Sequence, residues 1–340
     1  MQNIHLAWMG RRGRFWRLAL AVVLSAVLFL IALLVVANAS TRPQAQPNVL
    51  AQSDEPLAQD PVRIEFAYSG NDRAAASQAA EEFADLLSQE TGLDVQASIF
   101  PCEEGVVEHL GRGPVDLAPL SSVAYVLGHD VYGIEARLVV VRGGAPAYRG
   151  QINVQASGNY TDIWGLQGKR FVSAAPDSWS SYYAPYILIS QTTGMTPATF
   201  FGEVAFVDSH SQVIRDVYTG TAACGGSYEG ARYAVQGEYP DVLNVVHVLT
   251  HTEPIYYDPW AFRQSLDASV VQTLTNGIIT IAETTEGNAA LDTLMGGDVE
   301  AITVTQDSAY DLTRDIVAEF GLQMEACHCY LPVVLKNLGP

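Results

Sequence analysis

Along this chain the spacing of apolar and polar residues switches repeatedly between a period of two and a period of three to four, which marks alternating strands and helices. Residues 62–68 (VRIEFAY) alternate as a strand, and residues 72–89 (DRAAASQAAEEFADLLSQ) set Ala, Phe and Leu on one helical face before Gly92 ends the run. A second strand is expected over 95–100, a helix over 103–110, and a short buried strand over 115–117 behind the turn at 111–114. Strand, helix, strand, helix, strand predicts a parallel sheet covered by helices, so the expected fold class is α/β.

The next stretches, 135–141 and 151–155, read as strands with Gly143-Gly144-Ala145-Pro146 between them, and a first crossing into a second lobe is placed there. Strands at 169–173, 205–207 and 222–224 then alternate with helices reaching Thr193, over 211–219 and over 228–236. A strand at 244–249 is taken as the return, and 265–320 reads as mostly helical. Lobe 1 is thus expected over 61–146 with 250–325, lobe 2 over 147–249, and a tail of no assigned role over 326–340. Two α/β lobes joined by two crossings leave a cleft, and ligands of such sheets sit at the carboxyl ends of strands, where Asp116, Ser178 and Ser209-His210 stand.

Residues 18–37 are a continuous run of apolar or small residues preceded by Arg11, Arg12, Arg14 and Arg17. Its length suits a spanning helix, while Ala37-Asn38-Ala39 is a cleavage pattern, so residues 1–39 are read as an export signal or a membrane anchor, with 40–60 as a linker. Either places the remainder outside the cytoplasm. Removing those four arginines from the 18 Lys and Arg leaves 14 basic against 37 acidic side chains, a net charge of −23 for residues 41–340. Such a field repels nucleic acid and anionic membrane surfaces, so an anion would have to be held by local donors. In an exported chain the four cysteines, Cys102, Cys224, Cys327 and Cys329, favour disulfides in any of three pairings. Cys327-His328-Cys329 lacks a second ligand pair at metal-binding spacing, and neither a metal nor a cofactor is expected.

The most telling stretch is FVSAAPDSWSSYY at 171–183. An apolar strand end, a breaker at Pro176 and the hydroxyls of Ser178, Ser180 and Ser181 predict a strand turning into a helix, whose unpaired N–H groups and positive dipole end suit a small anion or carboxylate. An ordinary helix cap is the plain alternative.

Several pieces occur in one order: Gly113-Pro114-Val115-Asp116-Leu117-Ala118, Leu166-Gln167-Gly168-Lys169-Arg170-Phe171, Pro176-Asp177-Ser178-Trp179-Ser180-Ser181 with Pro185, Phe200-Phe201 through Ser209-His210, and Glu253-Pro254-Ile255 with Asp258-Pro259. Together they resemble the periplasmic substrate-binding proteins of phosphonate and phosphite ABC transporters. The resemblance implies a two-lobe, type II periplasmic-binding-protein-like fold with two hinge crossings and a monomer that serves an ABC permease. It also implies that Ser178, Trp179, Ser180 and Ser181 grip the oxyanion and that His210 donates to it. Glu229 and Asp258 are implied to face a ligand ammonium. Trp179 stands where the family has a small hydroxylated residue. Glu103 and Leu120, the latter followed by Ser121, stand where it has tyrosines. Phosphonate is therefore expected to fit poorly, and a ligand with a cationic or hydroxyl-rich end to fit better. Tyr125, Tyr160, Tyr182, Tyr183, Tyr228 and Trp260 are further candidate walls, with Tyr182 and Trp179 foremost.

A solute receptor is the leading expectation. A tethered sensory module without a permease, and an enzyme using Cys224 or His210 as nucleophile or base, are the alternatives, although no nucleophile-and-base pattern supports the second.

Overall fold

A computed structural model of the chain describes residues 60–68 and 70–324. The apolar run at 18–37, the linker up to residue 59 and the tail from 326 lie outside the described residues. Among the described residues no helix is long and apolar enough to cross a membrane.

The strands are β1 (Val62–Ala67), β2 (Val95–Phe100), β3 (Leu117–Pro119), β4 (Glu135–Val141), β5 (Ala147–Gln155), β6 (Arg170–Ser173), β7 (Glu203–Phe206), β8 (Cys224–Tyr228), β9 (Val246–Tyr256), β10 (Pro259–Phe262) and β11 (Ala301–Val304). Helices of two turns or more are α1 (Arg73–Thr91), α2 (Glu103–Arg112), α3 (Ser122–Tyr132), α4 (Ala184–Thr193), α5 (His210–Thr219), α6 (Ala268–Ala282), α7 (Thr285–Met295) and α8 (Asp311–Phe320). The molecule is a mixed α/β structure with two sheets, ordered β11-β4-β10-β3-β1-β2 and β7-β6-β8-β5-β9.

Local sequence explains the first lobe. Asp72 caps α1 by accepting from the Ala75 N–H at 3.0 Å, and Gly92 ends it in the left-handed region. Ala76, Ala79, Ala80, Phe83, Ala84 and Leu87 form its buried stripe. With α6 and α7 this stripe covers one face of the first sheet, where Phe66, Phe83 and Trp260 meet ring to ring at 5.6–5.7 Å. A second core formed by α2, α3 and Tyr310 covers the other face. In the second lobe α5 packs on Val172, while α4 with Phe200 and Phe201 packs around Phe171.

The expected parallel order holds for β2, β1 and β3 but not for either whole sheet. β10 runs antiparallel to β3 and β4, and β11 antiparallel to β4. The reason is that β10 arrives from the second sheet and so runs against strands that began in the first. The return is also later than expected. β9 pairs with β5 from Ala147↔Tyr256 to Gln155↔Val246, so it stays in the second sheet through Tyr256 and the chain crosses back at Tyr257-Asp258. The first crossing follows β4 through the turn at Arg142 and Ala145, within the Gly-rich stretch expected to hold it. The two crossings lie side by side: the Tyr257 N–H donates to the Pro146 carbonyl at 3.1 Å, and the Val140 N–H to that of Asp258 at 3.2 Å. The stretch 265–320, expected to be mostly helical, contains β11, while β10 and α3 stand in stretches for which the spacing predicts no element.

Candidate functional site

A cavity of about 710 Å³ opens between the two sheets beside the crossings. The first lobe lines it with Ser121, Ser122, Val123 and Asp258, and the second with Trp179, Ser180, His210, Tyr228 and Glu229; Tyr148, Tyr256 and Tyr257 stand on or beside the crossing strands. Ser121 follows β3, Trp179 and Ser180 follow β6, His210 follows β7 and Glu229 follows β8. Carboxyl-end loops from both sheets therefore converge on one space, as expected for open α/β sheets.

The serine-rich turn explains its own geometry. The Ser178 hydroxyl accepts from the Ser181 N–H at 3.2 Å, and the Ser178 carbonyl accepts from both Tyr182 and Tyr183 at 3.0 Å. Residues Trp179–Tyr183 thus form one wide turn of π type before α4 begins. Pro185, the second residue of α4, has no N–H to extend the ordinary ladder backward. The Ser181 hydroxyl is fully buried and fastens the turn to the sheet: it donates to the Gly226 carbonyl at 2.7 Å, accepts from the Ala174 N–H at 2.7 Å and meets the Ser173 hydroxyl at 2.9 Å. Two glycines permit this close approach. A Cβ on Gly226 would stand 2.0 Å from the Ser181 carbonyl oxygen, and one on Gly150 2.6 Å from that of Ser180.

On the same lobe His210 opens α5. Its Nδ1 accepts from the Tyr228 N–H at 3.4 Å and its ring meets that of Tyr228 edge to face at 4.9 Å. Burial pushes the His210 pKa below the ordinary imidazole range, so the ring is neutral at neutral pH with Nε2–H as the remaining donor. The Glu229 carboxylate lies 3.7 Å from His251 Nε2. Across the cleft, Asp258 Oδ2 is 3.8 Å from an Arg142 guanidinium that is itself held by the Gly297 and Met295 carbonyls. Burial raises the Asp258 pKa, with Arg142 pulling the other way. Tyr148 and Tyr257 stack at 5.3 Å beside it, and burial raises both phenols, Tyr148 to about 12, so both remain neutral.

Glu103, in the first turn of α2, turns toward α3. Its carboxylate accepts from the Ser121 backbone N–H and, at 2.8 Å, from the Ser121 hydroxyl. That hydroxyl also caps α3 by accepting from the Ala124 N–H at 3.2 Å. A smaller space of about 230 Å³, sharing Ser121 and Asp258 with the main cavity, is lined by Glu103 and Leu120.

A family model described as ABC transporter, phosphonate, periplasmic substrate-binding protein matches residues 67–310. The chain belongs to this family. Among solved structures, this family member is similar to a binding protein component of an ABC phosphonate transporter from Pseudomonas aeruginosa (17% identity, 75% of this chain and 84% of that chain, TM-score 0.40). It is also similar to PhnD1 from Prochlorococcus marinus in complex with methylphosphonate (14% identity, 76% and 98%, TM-score 0.41). Transferrin 1 from Manduca sexta aligns at 11% identity over 76% of this chain and 46% of that chain, with a TM-score of 0.60, a likeness of fold.

In this family member the structure brings together Ser121, Trp179, Ser180, His210, Glu229 and Asp258, all expected from the sequence. Other candidates are placed elsewhere. Ser178 caps the wide turn, and Ser181 faces the sheet. Tyr182 turns away from the cavity to pack against Tyr183, Tyr186, Phe206 and Phe320. Leu120 is 2% exposed and belongs to the first-lobe core, touching only the smaller space. Trp260 and Tyr125 are core residues, the latter donating to Asp307 at 2.6 Å. Tyr160 packs in the second-lobe core and Tyr183 against Phe320. Tyr148, Tyr256 and Tyr257 were missed; only the pairing of the two crossing strands, Ala147↔Tyr256, puts them in the cleft. Cys102 is disulfide-bonded and Cys224 is a free thiol inside the second lobe, which excludes a two-bridge framework. Among the described residues no group of three or more metal-ligating side chains converges.

Proposed function

We propose that this chain is the extracytoplasmic receptor of an ABC importer and that its two lobes close, in type II fashion, on a small polar ligand that is passed to a membrane permease. The carrying observation is the cleft itself: donors and carboxylates from both sheets face one cavity next to the paired crossings, the natural hinge. Residues 61–146 with the chain after 257 form one lobe and 147–256 the other. Trp179, Ser180, His210 and Ser121 contact the ligand, with Glu229 and Asp258 on its polar end, while Ser178 and Ser181 fix the turn that presents them. The segment at 1–39 is the export signal or anchor, 40–60 the linker and 326–340 the tail of a monomeric receptor.

The chain is a binder without turnover. The Cys224 thiol is fully buried and its pKa is pushed far up by desolvation, so it supplies no thiolate nucleophile. Thermal unfolding of the full-length chain against a panel of small polar compounds tests the reading. One or more compounds should raise the midpoint and be recovered unchanged; a panel in which nothing stabilises the protein sinks it.

A further inference from the structure

We propose that the chain beyond α8 is bonded back to the start of α2 by a disulfide between Cys102 and either Cys327 or Cys329, and that this bond limits how far the two lobes part. The inference goes beyond the receptor reading and holds whatever the ligand.

Two separate observations support it, the first being the state of the cysteines. Cys102 is disulfide-bonded, and the chain holds three other cysteines, Cys224, Cys327 and Cys329. Cys224 is a free thiol, fully buried in β8 with its Sγ 3.6 Å from the Arg170 carbonyl. Elimination leaves Cys327 or Cys329 as the partner, both outside the described residues, and the other of the two as a thiol. Packing brings the same parts of the chain together. Met324 rests on the first-lobe core that contains Val106 and Val107 of α2, and Phe100 rests on it too. Cys102 stands between Phe100 and Val106, so the bonded residue and the last described residue share one neighbourhood. Cys327 follows Met324 by only three residues, a reach of roughly 10 Å when extended, and Cys329 by five.

The bond matters because of what precedes it. α8 sets Val317 on the first-lobe core and Phe320 against Tyr183 and Tyr186 of the second lobe. Past Phe320, the Met324 side chain is an apolar contact with the first lobe that parts at little cost, whereas a covalent bond does not. With the bond closed, the end of α8 stays on the first lobe and an outward-moving second lobe must give up Phe320. With it open, α8 peels away and travels with the second lobe. Closing the bond joins two thiol sulfurs, and two electrons and two protons pass to an oxidant of the disulfide class, which leaves as a dithiol.

The oxidised, alkylated full-length chain is digested with trypsin without reduction. Residues 74–112 should be recovered linked to residues 315–336, and the unfolded oxidised chain should titrate two thiols, rising to four on reduction. Cys102 recovered as a thiol, linked to Cys224 or linked to a second copy overturns the proposal. The hold on the lobes is read by solution scattering of the unliganded protein: Cys102→Ser should show a larger radius of gyration than the oxidised wild type, and identical curves overturn that hold. The Cys102 side chain makes no capping hydrogen bond to α2, so the substitution removes the bond and not a helix cap. Circular dichroism checks the fold of the variant; if it fails to fold, mildly reduced wild type takes its place, expanding reversibly on reduction if the proposal holds and unfolding or keeping its radius if it does not.

Discussion

Asp258 joins the two crossings and faces the cleft, and its protonation reports what the cleft holds. Although 40% of its side-chain surface stays exposed, the phenols of Tyr148, Tyr257 and Tyr310 crowd it and only Arg142 offers a counter-charge, so its pKa rises above the ordinary carboxylate value. A raised pKa means that its contribution to stability is complete below the unfolded-state value and is lost as pH climbs through the folded-state value. A bound ammonium reverses the preference by favouring the charged form, so affinity should rise with pH across that same window. Calorimetric titration of an ammonium probe at stepped pH, with Asp258→Asn flattening the profile, checks this; a flat wild-type profile refutes it. At this scale much of the site was legible. Ser180, His210 and Asp258 lie in short ordered motifs, Glu229 was placed only by the resemblance, and the cavity gathers all four. Tyr182 was misplaced because a wide turn carries one residue more than an ordinary one, which shifts the phase of the side chains ahead of α4 and swings Tyr182 toward Phe206.

Among the elements, the wide turn and the strand beneath it act as a pair. β8 is CGGSY, a poor strand by propensity; Gly226 sits where the Ser181 backbone lies almost in contact, and Gly225 sits under the Val213 and Val172 side chains. Gly226→Ala should lift the turn off the sheet, break the bond from the Ser181 hydroxyl and destabilise the protein by about 1–3 kcal/mol, the usual range for overpacking. Urea denaturation measures this, and an unchanged midpoint would show that the turn yields without strain. Elements with long clean periods, such as α1 and β1, were readable from spacing alone. β10 and β11 were not, because PWAF and AITV are four-residue apolar runs that fit a strand or a helix equally well. β9 was cut short because its second half, which carries Pro254, gains strand character only from pairing with β5.

The two lobes are tied together by more than the crossings. α8 follows β11 of the first sheet, yet its last turn packs on the second lobe: Phe320 meets Tyr183 at 4.3 Å and Tyr186 at 4.8 Å, the Tyr186 hydroxyl donates to Glu319 at 2.6 Å, and Gln191 donates to Asp315 at 2.9 Å. Nothing in the spacing of residues 311–320 announced that helix as a bridge, since its hydrophobic stripe serves two neighbours at once. Aromatic pairs of this kind contribute about 0.5–1.5 kcal/mol each beyond their buried area. Phe320→Ala should therefore let the unliganded molecule gape, seen as a larger radius of gyration in solution scattering; identical curves for variant and wild type would deny α8 this role.

A clasp made of tilted and edge-to-face rings has a kinetic signature. Rings sliding past one another must part before the mouth between the sheets widens, so a solute arriving from outside waits on the protein instead of on its own diffusion. Capture would then level off at a ceiling as solute is added, and loosening the clasp would lift that ceiling.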